Sequence, residues 1–124
     1  MLKIFQHWDF LQNTYIDKCN LTVYNDNVIK SFKHKGLESF FLTGSLKGIQ
    51  AIHKKKIRSI LTILNTLTKE YGLKPLEQPF YRLHLLHGDL KGQWAVTVQA
   101  NWRITFEYDE KTSDVYIVDY QDYH

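Results

Sequence analysis

Between residues 80 and 120 the chain carries four runs rich in β-branched and aromatic residues, at 80–86, 94–100, 102–108 and 115–120. Only short turn-prone segments part them, at His87-Gly88-Asp89, at Asn101 and at residues 109–114. A parallel crossover needs a dozen or more residues, so breaks this short make successive strands an antiparallel meander. Upstream, Ile49, Ile52, Ile57, Ile60, Leu61, Leu64 and Leu67 recur at helical spacing, with Lys54, Lys55, Lys56 and Arg58 mostly off that stripe and Tyr71-Gly72 as the expected stop. A shorter helix is expected around Leu37, Phe40 and Phe41, and residues 28–33 alternate apolar and polar as a short strand does. This order predicts an α+β fold, with two helices packed on one face of a mainly antiparallel sheet of four to five strands.

A length of 124 residues fits one compact domain. The single cysteine, Cys19, excludes an intramolecular disulfide framework, and no C-x-x-C or H-E-x-x-H spacing offers a zinc site, so neither metal nor cofactor is expected. No apolar run approaches the roughly 20 residues of a membrane helix, and the N-terminus lacks the order of a secretory signal. The expectation is a soluble protein of a reducing cytoplasm with no membrane partner. Sixteen Lys and Arg stand against thirteen Asp and Glu. Residues 1–27 hold two of the bases and three of the acids, so the surplus lies in residues 28–124, as suits a polyanionic partner. Residues 1–27 show no sustained period and end in Asn25-Asp26-Asn27; they read as an N-terminal extension to a domain spanning 28–124.

Side chains alternate across a strand. In residues 102–108 this sets Trp102, Ile104, Phe106 and Tyr108 under the helices and turns Arg103, Thr105 and Glu107 the other way. The same rule groups Phe80, Arg82, His84 and Leu86 in the first run, and opposes Thr97 and Gln99 to Val96 and Val98. The expected polar face thus carries His84, Thr97, Gln99, Arg103 and Glu107, with Asp122-Tyr123-His124 following the last strand. No G-x-S-x-G elbow or phosphate loop is present. What remains is an imidazole pair and a guanidinium, the set that metal-free RNA cleavage needs: a base for the 2′-hydroxyl, an acid for the departing 5′-oxygen and a cation for the pentavalent phosphate. Imidazole suits both proton roles because its reference pKa is about 6.5. Each residue alone has a plainer reading. A strand histidine is commonly a surface residue, the Lys54–Lys56 run is the wet side of an amphipathic helix, His87 sits in a turn, and His53 flanks a buried stripe.

Three segments in order, VIKSFKHKGLESFF, YRLHLLHGDLKGQWAVTVQANWRITFEYD and the closing VYIVDYQDYH, resemble the HigB toxins, a branch of the RelE superfamily of ribosome-dependent mRNA interferases. The resemblance covers residues 28–124. It implies a RelE-like fold, endoribonuclease activity on mRNA in the ribosomal A site, and neutralisation by a HigA-type antitoxin, with the toxin alone monomeric. It also places the active site on His84, Arg103, Asp122, Tyr123 and His124, and RNA or phosphate contacts on His87, Lys91 and Gln99. Two departures stand out: His87 where the family's turn usually has Lys, and Gln99 where many members carry Arg. Each removes a permanent cation from the expected phosphate track. Residues 1–27 match nothing in the pattern and are either a real appendage or a stretch read through from too early a start. The antitoxin either covers the His84, Arg103, His124 face or docks on the helical side at Lys54, Lys55, Lys56 and Arg58, and the charge concentration there favours the second. A non-catalytic module of the same fold, binding antitoxin, ribosome or RNA, is the competing function.

Overall fold

A computed structural model describes residues 28–123, so the N-terminal extension expected at 1–27 and the terminal His124 lie outside the described residues. The elements run α1 (Lys35–Thr43), α2 (Lys54–Leu64), β1 (His84–Leu85), β2 (Trp94–Gln99), β3 (Trp102–Asp109) and β4 (Asp114–Asp122). The four strands form one antiparallel sheet in chain order. Its inner face meets the helices in a core of Leu37, Phe40, Ile57, Ile60, Leu61 and Leu64 against Val96, Ile104, Phe106, Val115 and Val118. This is the expected α+β arrangement. Among the described residues no helix is long and apolar enough to cross a membrane.

The expected strand at 28–33 pairs with β4 only at two separate parallel bridges, Ile29 to Val115 and Phe32 to Val118. The reason lies in β4, where Ile117 takes a left-handed φ of 47° and interrupts the ladder. The Ser31 hydroxyl receives the displaced Ile117 N–H at 2.8 Å. Asn65, which caps α2, fastens the same edge by accepting the Val28 and Ile29 N–H groups at 3.1 and 3.2 Å.

Helix α1 begins where His34 Nδ1 accepts the Leu37 N–H at 3.0 Å and ends at left-handed Gly44, whose N–H reaches the Phe40 carbonyl. The helix expected over 49–67 is shorter. Its first turn, Ala51–His53, is 3₁₀, and three residues per turn rather than 3.6 rotate Ile52 out to 71% exposure while carrying His53 into the core. It stops at Leu64, well before Gly72, although Leu67 stays buried. The run at 80–86 is also corrected. Pro79 opens a 3₁₀ turn, Pro79–Tyr81, Arg82 follows at a left-handed φ of 50°, and only His84–Leu85 is pleated. Phe80, Arg82, His84 and Leu86 therefore do not share a strand face.

Candidate functional site

Strand register assembles the outer face of the sheet. His84 pairs with Ala95, Ala95 with Thr105, and Thr105 with Asp119. The next row on that face is Thr97, Arg103 and Gln121. His84 and Arg103 thus lie two strands and two residues apart, roughly 12 Å between Cα atoms from ordinary sheet spacings.

His84 is exposed, and its Nδ1 lies 2.7 Å from the Arg82 carbonyl oxygen. A carbonyl only accepts, so the Nδ1 proton is the one donated and Nε2 is left with a lone pair towards solvent. The left-handed Arg82 aims that carbonyl. Behind it, Lys56 donates to the Phe80 carbonyl at 3.2 Å and lies 5.9 and 5.8 Å from the Phe80 and Tyr81 ring centroids. Burial lowers the Lys56 amine below its usual range.

Arg103 is half-buried. Its Nη1 donates to the Ala100 carbonyl at 2.6 Å and to the Trp102 carbonyl at 3.2 Å. Ala100 holds a φ of 51° in the tight β2–β3 turn, which presents its oxygen to the guanidinium. Nε and Nη2 keep three N–H donors, and no carboxylate pairs with Arg103 among the described residues. The Tyr123 ring centroid lies 5.8 Å from the guanidinium carbon, and the Tyr123 N–H donates to the Asn101 carbonyl at 2.8 Å. Burial raises the Tyr123 hydroxyl above the usual phenol range, against the opposing pull of Arg103 and with a further push from Asp119. The hydroxyls of Tyr123 and Thr97 are both buried and have no hydrogen-bond partner among the described residues. Gln121 is tied to Thr105 by a 3.0 Å bond from Nε2 to Oγ1.

The expected residues divide as follows. His84, Arg103 and Tyr123 come together on one face with Thr97. Asp122 pairs in register with Trp102 on the opposite face, where its charge raises the Tyr120 hydroxyl, though burial of that phenol is the larger cause. Gln99 is a correction. Val98 is an extra residue in β2, so Thr97 faces Arg103 while Gln99 faces Trp102. Gln99 Oε1 sits 2.9 Å from Nε2 of His53 and leaves the expected phosphate track. His87 and Lys91 are exposed on the segment around the 3₁₀ turn Gly88–Leu90. On α2, Lys54 and Lys55 are exposed, but Lys56 is engaged with the Phe80 turn and Arg58 is half-buried with partners of its own, so the expected four-residue patch reduces to two free-standing cations. Thr97 lies on this face as expected, and Asp119 and Gln121, which the sequence reading does not name, complete it; alternation back from Tyr123 through Gln121 to Asp119 is the signal that finds them.

The two depressions that stand out lie elsewhere. One, of about 420 Å³, is lined by Leu73, Glu77, Gln78, Pro79, Arg82, Leu83 and Trp94, and the other, of about 590 Å³, surrounds Glu107 to Lys111 and Tyr116. Among the described residues no group of three His, Cys, Asp or Glu side chains is placed to hold a metal ion.

A family model described as a RelE-like toxin of the type II toxin-antitoxin system HigB matches residues 30–124. Endoribonuclease HigB of Proteus vulgaris is 43% identical over 97 residues, which cover 78% of this chain and all of that protein. With the two-helix, four-strand fold and a match that spans the whole sheet and the terminal Asp122-Tyr123-His124, the chain belongs to the HigB-like family of RelE-like toxins.

Proposed function

We propose that this chain is an endoribonuclease toxin that cuts mRNA on the ribosome by attack of a 2′-hydroxyl on the adjacent phosphate, without a metal ion in the chemical step. The observation that carries the reading is the His84 ring locked through Nδ1–H to a backbone carbonyl, its Nε2 free on the same sheet face as a guanidinium with three spare donors. In this scheme Nε2 of His84 takes the 2′-hydroxyl proton and the 2′-oxygen bonds to phosphorus. Arg103 donates to the non-bridging oxygens as charge builds there. The bond to the 5′-oxygen breaks, and that oxygen leaves with a proton from an acid, for which His124, the second imidazole of the expected active-site set, is the candidate. The products are a 2′,3′-cyclic phosphate and a 5′-hydroxyl.

In this reading the RNA is presented by another surface, the ribosomal A site. The partner of a type II toxin is its antitoxin, here of HigA type. Exposed Lys54 and Lys55 offer it a cationic docking point on the helical side, away from the chemistry.

Incubation with translating ribosomes and a defined mRNA, followed by analysis of both new ends, tests the reading. A cyclic phosphate upstream with a 5′-hydroxyl downstream supports it; a downstream 5′-phosphate sinks the chemistry. No new ends at all would favour the non-catalytic module. His84→Ala lowers cleavage by about 10² to 10⁴ with the fold intact, the share of one positioned acid or base.

A further inference from the structure

The described residues hold a buried imidazole that this chemistry does not use. His53 is 2% exposed and closes the 3₁₀ turn that feeds α2. Its ring meets Tyr120 edge-on and lies 5.6 Å from Trp102, and those two aromatics stack on each other at 4.5 Å. Both ring nitrogens are bound, Nδ1 at 2.6 Å from the Tyr120 hydroxyl and Nε2 at 2.9 Å from Gln99 Oε1. An amide oxygen only accepts, so Nε2 carries the proton and Nδ1 accepts from the Tyr120 O–H. The Tyr120 oxygen accepts in turn from the Gln50 N–H at 3.5 Å. Every polar atom in the chain of bonds has a defined direction.

The far end of that chain is the candidate site. Gln99 is the last residue of β2 and precedes Ala100, whose carbonyl holds Arg103. Asn101, next in the turn, holds the Tyr123 N–H. Tyr120 lies in β4, three residues before Tyr123. A two-residue turn with a left-handed alanine is strained, and it persists when its flanks are fixed from outside. His53 bonds one flank at Gln99 and packs on the other at the Trp102 ring, and through Tyr120 it fixes the strand that leads to Tyr123.

We infer that His53 is a positioning residue: through Gln99 and Tyr120 it holds the Ala100-Asn101 turn, and with it the Arg103 guanidinium and the Tyr123 tail, in the geometry that meets the phosphate. The inference rests on the role proposed above for Arg103. His53 itself touches no reacting atom.

The test compares His53→Ala, Gln99→Ala, the double variant, and His53→Ala added to Arg103→Ala. Ribosome-dependent cleavage, amide hydrogen exchange at Tyr123 and Ile60, and folded fraction by circular dichroism are read on each. Each single variant is expected to fold and to lose about 10- to 100-fold in kcat, the effect of a small misplacement, with KM nearly unchanged. The Tyr123 amide exchanges faster while Ile60 in α2 does not. The double variant is no slower than the worse single, and His53→Ala adds nothing once Arg103 is gone. Additive losses in the double variant, or an equal loss in the Arg103→Ala background, mark a general contribution to folding and overturn the inference. Should His53→Ala fail to fold, Gln99→Ala decides alone, and normal cleavage with normal Tyr123 exchange overturns it. If the unaltered chain cuts no RNA, the nuclease reading fails on its own account, and Tyr123 exchange still decides whether His53 clamps the turn.

Discussion

Replacing Arg103 by lysine keeps a positive charge at the site and removes its shape. Nη1 already serves two backbone carbonyls, Ala100 at 2.6 Å and Trp102 at 3.2 Å, which leaves the three N–H groups of Nε and Nη2 for a phosphate. An ammonium has three N–H groups on one atom. If two of them meet the same carbonyls, one remains, so two donors to the transition state are lost. Loss of one such donor slows an enzyme by about 10² to 10³, near 2.7–4 kcal/mol, and the retained charge offsets part of the second loss. The expected fall in kcat is about 10² to 10³. Folding changes little, because the carbonyl bonds are partly exposed, contribute about 1 kcal/mol each, and lysine remakes at least one. Single-turnover cleavage at saturating programmed ribosomes, read by primer extension beside a thermal melt, gives both quantities. A lysine variant within about threefold of the unaltered rate, under 1 kcal/mol of barrier, would refute the argument: Arg103 would act only as a point charge.

Gly36 lies in α1, where a Cβ would come within 2.9 Å of the Lys47 carbonyl oxygen and of the His34 ring that caps the helix. Gly36→Ala therefore lowers stability by about 1–3 kcal/mol despite alanine's better helix propensity, and a raised melting temperature would contradict this. Burial raises Tyr81, Tyr120 and Tyr123 above the usual phenol range. The folded chain then holds protons that the unfolded chain releases above pH 10, so stability present below pH 10 falls as pH rises through the folded-state values. Lys56, lowered by burial, works in the opposite sense, but one amine opposes three phenols. Denaturant unfolding between pH 9 and 12 measures the slope, which Tyr123→Phe makes shallower. Lys54→Glu with Lys55→Glu weakens antitoxin binding mainly through slower, salt-sensitive association, whereas His84→Ala leaves affinity unchanged; calorimetry and stopped-flow mixing at two salt concentrations read both.

The sheet is legible in the sequence because Trp102, Ile104 and Phe106 alternate with Arg103, Thr105 and Glu107, and a period of two has few other uses. The α2 stripe is legible for the same kind of reason, but its ends are not. Ile52 continues the pattern on paper and is exposed because one 3₁₀ turn changes the angular step. Likewise His84 is legible as a candidate, while the means of fixing its ring is not. That lock depends on Arg82 adopting a left-handed backbone after Pro79–Tyr81, a conformation to which an arginine gives no clue. His53 reads as a residue flanking the helical stripe, since nothing local announces that Gln99 and Tyr120, 46 and 67 positions away, will meet it.

The makeup of the candidate site turns on two extra residues. With an unbroken β4, continuing the pairing of Tyr108 with Val115 and Glu107 with Tyr116 would bring Asp119 opposite Ile104 in the core, and Asp122 rather than Tyr123 onto the Arg103 face. The bulge at Ile117 prevents both. Holding an isoleucine left-handed costs about 1–3 kcal/mol. Burying an unpaired carboxylate costs far more, so the hydrophobic pattern Val115, Val118, Tyr120 enforces the bulge whatever the site requires. Tyr123 reaches Arg103 as a consequence. The extra residue in β2 acts the other way, turning Gln99 from the outer face to His53. Gln99 is then the acceptor that a buried imidazole N–H requires, and the positive charge on the outer face of the two central strands comes from Arg103.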